Sequence, residues 1–216
     1  MNASRGVVFD LDGTVIDSLP DLAAALNRSL ARHGAAPVAR EDVAPMVGDG
    51  AKMLLKRGYA ARGMTPEAAD EAIFLADYEA HVTDLTEPYP GIVTALETLA
   101  ARGYRLGMCT NKPEASARKV LAALDLDRFF PVLIGGDATN FRKPDPRHLG
   151  AVLEAMTIAP RGAVMVGDHH NDIATAEGLG VASIFVRWGY GRAEGTIAIG
   201  ETEALVPAVE RLLGAA

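Results

Sequence analysis

The stretch Val7-Val8-Phe9-Asp10-Leu11-Asp12-Gly13-Thr14 runs an apolar segment straight into two carboxylates, a glycine and a threonine. A carboxylate attacks phosphorus directly, giving an aspartyl-phosphate and splitting one hard displacement into two easier ones. Asp10, where the apolar run ends, is the candidate nucleophile. Asp12, two residues on, is placed to protonate the leaving oxygen and then to take a proton from the water that hydrolyses the intermediate. A free Asp, with a pKa of about 3.9, is ionised at neutral pH, so that role needs a raised pKa or a shared proton. The competing reading is a plain turn, since Asp-Gly is a common turn pair. Two acids and a threonine behind one apolar run exceed what a turn needs.

Further polar groups recur after later apolar runs. Thr110-Asn111-Lys112 follows Tyr104 to Cys109; Thr110 offers a hydrogen bond to a phosphoryl oxygen, and backbone N–H groups ahead of the next helix bind anions. Helix capping is the alternative for Thr110 and Asn111. Lys143 lies in Phe141-Arg142-Lys143-Pro144-Asp145-Pro146, where prolines stiffen a loop that holds an ammonium against a nucleophile and a phosphate. A solvated lysine is the alternative. Val164-Met165-Val166-Gly167-Asp168-His169-His170-Asn171-Asp172 again ends an apolar run in glycine and acids. Magnesium prefers octahedral oxygen ligands and is held by one or two carboxylates, which Asp168 and Asp10 supply. Asp172, one short turn later, is placed to orient a metal-bound water or to pair with Lys143. His169 and His170 raise a zinc reading, which is set aside because adjacent residues rarely converge on one metal and the surrounding donors are hard oxygens.

These groups need a scaffold that brings strand ends together. Gly6 to Leu11, Tyr104 to Cys109, Val132 to Ile134, Ala163 to Val166 and Val181 to Val186 read as buried parallel strands. Gly91 to Arg102, Pro113 to Leu124, Asp145 to Met156 and Asp172 to Leu179 read as helices between them, and Glu203 to Leu213 closes the chain. The alternation predicts an α/β doubly wound, parallel-sheet (Rossmann-like) core, with ligand sites at the carboxyl ends of its strands. Ser18 to about Val82 carries no strand signal. Leu19, Leu22, Leu26 and Leu30 repeat at helical spacing behind Ser18 and Pro20 and stop at His33-Gly34. Further helices are expected from about Ala51 to Arg62 and from Pro66 to about Val82, before a stiff Pro88-Tyr89-Pro90-Gly91 return. The expected division is an all-helical cap, residues 17–87, inserted into a core of residues 1–16 and 88–216.

In this order the four stretches resemble the haloacid-dehalogenase superfamily: an Asp-x-Asp-Gly-Thr strand end, a later strand-terminal Thr, a Lys before Pro, and Gly-Asp followed by a second Asp. The resemblance spans nearly the whole chain. It implies that Asp10 is the nucleophile and Asp12 the general acid/base, whose backbone carbonyl also meets the metal. It implies that Thr110 and Lys143 hold the phosphoryl group, that Asp168 binds Mg²⁺ and that Asp172 supports it. Asp12 argues against dehalogenation, because dehalogenases of the superfamily lack that second acid. Asp17-Ser18-Leu19-Pro20-Asp21-Leu22, Val47-Gly48-Asp49-Gly50-Ala51 and Arg187-Trp188-Gly189-Tyr190-Gly191 look like phosphoglycolate phosphatases in particular. That likeness implies hydrolysis of 2-phosphoglycolate to glycolate and phosphate, with Asn111, Gly48, Lys52 and Arg57 as substrate contacts and the two cations meeting the carboxylate. A solvated helix face is the alternative for Lys52 and Arg57. His169 departs from that pattern, where a small hydroxyl residue is usual.

Other readings stay open at this point: a phosphatase for a sugar phosphate or pyrophosphate, a phosphomutase, or a phospho-accepting receiver domain, against which the helical insert and Asp12 both count. The 216 residues hold one mid-sized domain or a core with an insert, and 49% apolar and 23% charged residues suit a globular chain. A net charge of -7 disfavours nucleic acid as a partner, and leaves room for a small anionic ester met by local donors or a metal. The opening MNASRGVVFD reaches an acid too soon for a signal peptide or membrane span. Together with Cys109 as the sole cysteine, this leads to an expected cytoplasmic location. Oligomeric state is not legible.

Overall fold

The computed structural model describes residues 5–214. Its strands are β1 (Gly6–Phe9), β2 (Ile16–Asp17), β3 (Glu87–Pro88), β4 (Arg105–Cys109), β5 (Val132–Ile134), β6 (Ala163–Gly167), β7 (Ala182–Val186) and β8 (Ile197–Ile199). Its helices are α1 (Leu19–Arg32), α2 (Arg40–Val43), α3 (Ala51–Ala60), α4 (Asp70–Ala80), α5 (Ile92–Ala101), α6 (Glu114–Ala123), α7 (Pro146–Met156), α8 (His170–Leu179) and α9 (Leu205–Leu213). Among the described residues no helix is long and apolar enough to cross a membrane.

The main sheet has six parallel strands in the order β5-β4-β1-β6-β7-β8. Val7, Val8 and Phe9 of the central strand are fully buried, an unbroken apolar run that a strand covered on both faces requires. Alternate residues divide between two cores. Val7 and Phe9 pack with Leu96 of α5, Val120 of α6 and Val209 of α9. Val8 packs with Val152 of α7 and Ala176 of α8. This is the doubly wound α/β core expected from the alternation.

The helical insert also takes the expected form. Leu22, Leu26 and Leu30 make the buried stripe of α1, with Pro20 in its first turn. In α4, Phe74 and Tyr78, one helical turn apart, are both buried and stacked. This helix starts later than Pro66, because Asp70 Oδ2 accepts the Glu67 N–H at 2.7 Å and holds the preceding residues in a turn. Two features carried no sequence signal. The short edge strand β8 closes the sheet beside β7. The chain's two crossings between core and insert, β2 and β3, pair antiparallel with Ile16 opposite Pro88 and Asp17 opposite Glu87. The boundaries read from sequence fall inside this ribbon.

Candidate active site

β1 lies between β4 and β6, so the chain leaves it in opposite directions and opens a crevice at the strands' carboxyl ends. Asp10, Thr110 and Asp168 follow or end those strands. All are nearly fully buried, at 6%, 1% and 2% exposure. Lys143, itself 3% exposed, enters from the loop before α7. Its Nζ lies 2.7 Å from Asp10 Oδ1 and 2.6 Å from Asp172 Oδ1. Burial opposes the charge on Lys143, but Asp10 and Asp172 outweigh it and hold the ammonium above the ordinary lysine pKa. His148, fully buried, braces the loop: its Nδ1 accepts the Lys143 N–H at 3.2 Å while its Nε2 stands 3.2 Å from the Gly135 carbonyl. Burial, aided by Lys143, pushes His148 down to about 4, which keeps Nδ1 a free acceptor. Sequence alone pointed to no role for this histidine.

Asp168 is oriented by Thr14 Oγ1, which donates to Oδ1 at 3.1 Å, and by the Tyr190 and Gly191 N–H groups, which donate to Oδ2 at 2.8 and 3.3 Å. Gly13 is obligatory here: its φ is +83°, and a Cβ would stand 2.4 Å from Asp168 Oδ2. Asp10, Asp168 and Asp172 each present an oxygen within 4.8 Å of the others. Burial, then the neighbouring carboxylates, raises Asp168 to about 7; burial and Asp172, resisted by Lys143, raise Asp10 to about 6. Three buried acids against one ammonium leave surplus negative charge. Hard oxygen donors with unbalanced charge fit a divalent cation of the magnesium type.

The Asp12 carboxylate is engaged elsewhere, so any part it takes in metal binding falls to its backbone carbonyl. Ser18 Oγ donates to its Oδ1 at 2.5 Å. Lys112 Nζ lies 2.9 and 3.3 Å from its two oxygens and 2.8 Å from the Tyr78 hydroxyl. Burial works against the Lys112 charge, and Asp12 with Tyr78 outweighs it, so the ammonium is held above its ordinary pKa. Lys112 was not among the expected site residues. Asp10, Asp12, Thr110, Asn111 and Lys112 line one side of a cavity; Leu22, Leu54, Phe74 and Tyr78 of the insert line the other. The cavity is small, about 50 Å³ in volume.

The insert meets the core at Val47–Ala51. Asn111 Nδ2 donates to the Gly48 carbonyl and to the Lys143 carbonyl, both at 2.9 Å. Asn171 Nδ2 donates to the same Gly48 carbonyl at 3.3 Å and to Asp49 Oδ1 at 2.7 Å. Gly48 takes φ +114°, and a Cβ there would lie 2.8 Å from the His169 ring. His169 Nδ1 accepts the Asn171 N–H at 3.3 Å, and Asp172 Oδ2 accepts the His169 N–H at 2.9 Å, a reciprocal cap on α8. The imidazole thus fills the capping place of a hydroxyl side chain. Burial and His170 push its pKa down to about 4, leaving Nδ1 free to accept. Gly48 and Asn111 line the cavity; Lys52 and Arg57 do not. Lys52 is exposed on α3. Arg57 is spent on Asp49 and on the Met46 carbonyl, at 2.9 Å from the latter. The lysine that does line the cavity is Lys112.

The same architecture recurs in known proteins. The family model described as haloacid dehalogenase-like hydrolase matches residues 7–186. A phosphoglycolate phosphatase of Rhodospirillum rubrum is 43% identical over 196 residues, covering 87% of this chain and 81% of the relative. One of Agrobacterium fabrum is 39% identical over 211 residues, covering 94% and 91%. A crystal structure from Haemophilus somnus, described as a predicted phosphoglycolate phosphatase, superposes with a TM-score of 0.86 at 25% identity over 96% of this chain and 99% of that one. With its parallel sheet, its strand-end acids and these matches, the chain belongs to the haloacid dehalogenase-like hydrolase family and stands within it among the phosphoric monoester hydrolases.

Proposed function

We propose that this chain is a Mg²⁺-dependent phosphatase that hydrolyses 2-phosphoglycolate to glycolate and phosphate through a phosphorylated Asp10. The observation that carries the reading is the position of Asp10: a buried strand-end carboxylate, 2.7 Å from Lys143, on a cavity that Asp12 and Thr110 also line. An Asp10 oxygen attacks phosphorus, the bond from phosphorus to the ester oxygen breaks, and Asp12 delivers a proton to that oxygen as glycolate leaves. Water then attacks phosphorus, Asp12 takes its proton, and the acyl phosphate opens to return Asp10 and release phosphate. Thr110 and Lys143 hold the phosphoryl oxygens by hydrogen bond and charge. Asp10, Asp168 and Asp172 would hold Mg²⁺, with the Asp12 carbonyl. When bound, it offsets the repulsion between the incoming phosphate and the carboxylates.

Substrate choice rests on the named relatives and on the cavity, whose insert wall of Leu22, Leu54 and Phe74 is apolar and offers little to a hydroxyl-rich sugar. The insert acts as a cap that shuts the phosphoryl group away from bulk water. The deciding experiment is phosphate release with Mg²⁺ across a panel of phosphoglycolate, sugar phosphates, pyrophosphate and an aryl phosphate. Phosphoglycolate is expected to give the highest kcat/KM. Brisk release from a sugar phosphate or pyrophosphate, with none from phosphoglycolate, overturns the substrate while leaving the Asp10 chemistry intact.

A further inference from the structure

We infer that Lys112 and Tyr78 form a two-donor clip for the carboxylate of the leaving group, and so set the enzyme's preference for an acidic ester. This inference rests on the phosphoglycolate reading and assigns the residues that would carry it.

Lys112 is 6% exposed and Tyr78 2% exposed, and both line the cavity. Lys112 comes from the core just after β4, while Tyr78 comes from α4 of the insert, and the two meet at 2.8 Å. The remaining polar and charged lining is mostly acid or amide, so Lys112 supplies the cationic side chain of this cavity. The other buried lysine, Lys143, is committed to Asp10 and Asp172.

Donor accounting points the same way. An ammonium has three N–H donors and a phenol one O–H donor with acceptor lone pairs. Lys112 Nζ meets three acceptors, Asp12 Oδ1 at 2.9 Å, Asp12 Oδ2 at 3.3 Å and the Tyr78 oxygen at 2.8 Å, and the long contact to Oδ2 is the one a ligand oxygen can replace. Because Lys112 donates to Tyr78, the phenolic proton is left to donate elsewhere. Burial raises the Tyr78 pKa, which keeps that proton in place. One N–H, held only by the 3.3 Å contact to Asp12 Oδ2, and one O–H thus stand side by side for an acceptor with two oxygens.

Reach follows from the chemistry at Asp12. The group that protonates the ester oxygen must sit about 2.6–3.2 Å from it, and Lys112 Nζ lies 2.9 Å from that same carboxylate. In 2-phosphoglycolate a single methylene separates the ester oxygen from the carboxylate. A ligand placed for proton transfer from Asp12 thus brings its carboxylate beside Lys112 and Tyr78. A longer or bulkier leaving group runs into the apolar wall of Leu22, Phe74 and Leu75. Because Tyr78 belongs to the insert and Lys112 to the core, the clip is complete only when the two are together.

The test compares 2-phosphoglycolate with 2-hydroxyethyl phosphate, which replaces the carboxylate by a neutral alcohol, in the wild type, Lys112→Met and Tyr78→Phe with Mg²⁺. Lys112→Met also takes a partner from Asp12, so both substrates lose rate; the informative quantity is the ratio of their kcat/KM values. That ratio is expected to fall roughly 10- to 100-fold in Lys112→Met and by a smaller factor, roughly 5- to 10-fold, in Tyr78→Phe. The loss should lie mainly in KM for phosphoglycolate. An unchanged ratio in Tyr78→Phe, which keeps the ring stacked on Phe74 and so the fold, overturns the clip even if Lys112→Met fails to fold. A wild type that turns over hydroxyethyl phosphate but not phosphoglycolate overturns the substrate reading, and the clip with it. A wild type active on phosphoglycolate whose variants keep the ratio overturns the clip alone.

Discussion

Asn111 and Asn171, which stand after β4 and near the start of α8 on opposite sides of Asp10, aim their amides at one acceptor, the Gly48 carbonyl, at 2.9 and 3.3 Å. The loop at Gly48 is thereby pinned by the two segments that carry Thr110 and Asp168. Replacing both asparagines by alanine should cost about 1 kcal/mol per lost bond and loosen this loop selectively. Hydrogen exchange should quicken from Gly48 through α3 with the amides of β1 and β6 unaffected. Unchanged exchange in that segment would show that the pin contributes nothing to closure.

Asp10→Asn should lower turnover by roughly 10⁴-fold or more, as removal of a nucleophile does, without unfolding the protein. Lys143 keeps Asp172 at 2.6 Å as a partner. Burial already pushes Asp10 up to about 6, so the neutral amide removes an electrostatic cost. Thermal unfolding without metal should show the variant at least as stable as the wild type, and substantial residual activity would remove Asp10 from its role.

Lys143→Met tests the opposite charge. Losing one member of a buried ion pair leaves the other uncompensated and costs about 3–5 kcal/mol; here Asp10 and Asp172 are both left. Denaturant unfolding should register that loss, and a divalent cation should recover part of it. A drop below about 1 kcal/mol would mean that the acids are balanced by other groups.

Metal and pH should act together. Asp168 and Asp10 have folded-state pKa values raised to about 7 and about 6 from 3.8. Below 3.8 both states are protonated and the favourable contribution is complete; as pH climbs through about 6 to 7 the native carboxyls must ionise and it is lost. The metal-free protein should therefore lose stability over that interval. Mg²⁺ needs the ionised form, so its stabilising effect should be greater at about pH 8 than at about pH 5. Melting curves in EDTA and in Mg²⁺ at both values measure this; equal shifts would place the ion elsewhere.

Much of the strand-end cluster was legible because its signals are local. An apolar run ending in Asp, or in Gly-Asp, reports both a buried strand and the side chains at its carboxyl end, and the buried strand-end positions of Asp10, Thr110 and Asp168 were read that way. Lys52 and Arg57 stand off the cavity lining, which sequence did not show because it gives the spacing of charges on a helix and not their partners. Asp49 is close enough along the chain to capture Arg57, while Lys52 simply faces solvent. Lys112 was missed for the converse reason: its partners Asp12 and Tyr78 are remote in sequence. β8 escaped notice because an edge strand of three residues, only its last one buried, leaves too short a pattern to read.

The pairing of β2 with β3 has a structural and an evolutionary consequence. Entry and exit of the insert are hydrogen-bonded neighbours, so the chain joins the helical segment to the core through a single narrow ribbon with Ile16 beside Pro88 and Asp17 beside Glu87. Because both of its ends leave the core at one place, the insert is a cassette. Its helices can be lengthened, replaced or exchanged for another set without moving β1, β4 or β6, so a change of substrate need not disturb the chemistry beneath.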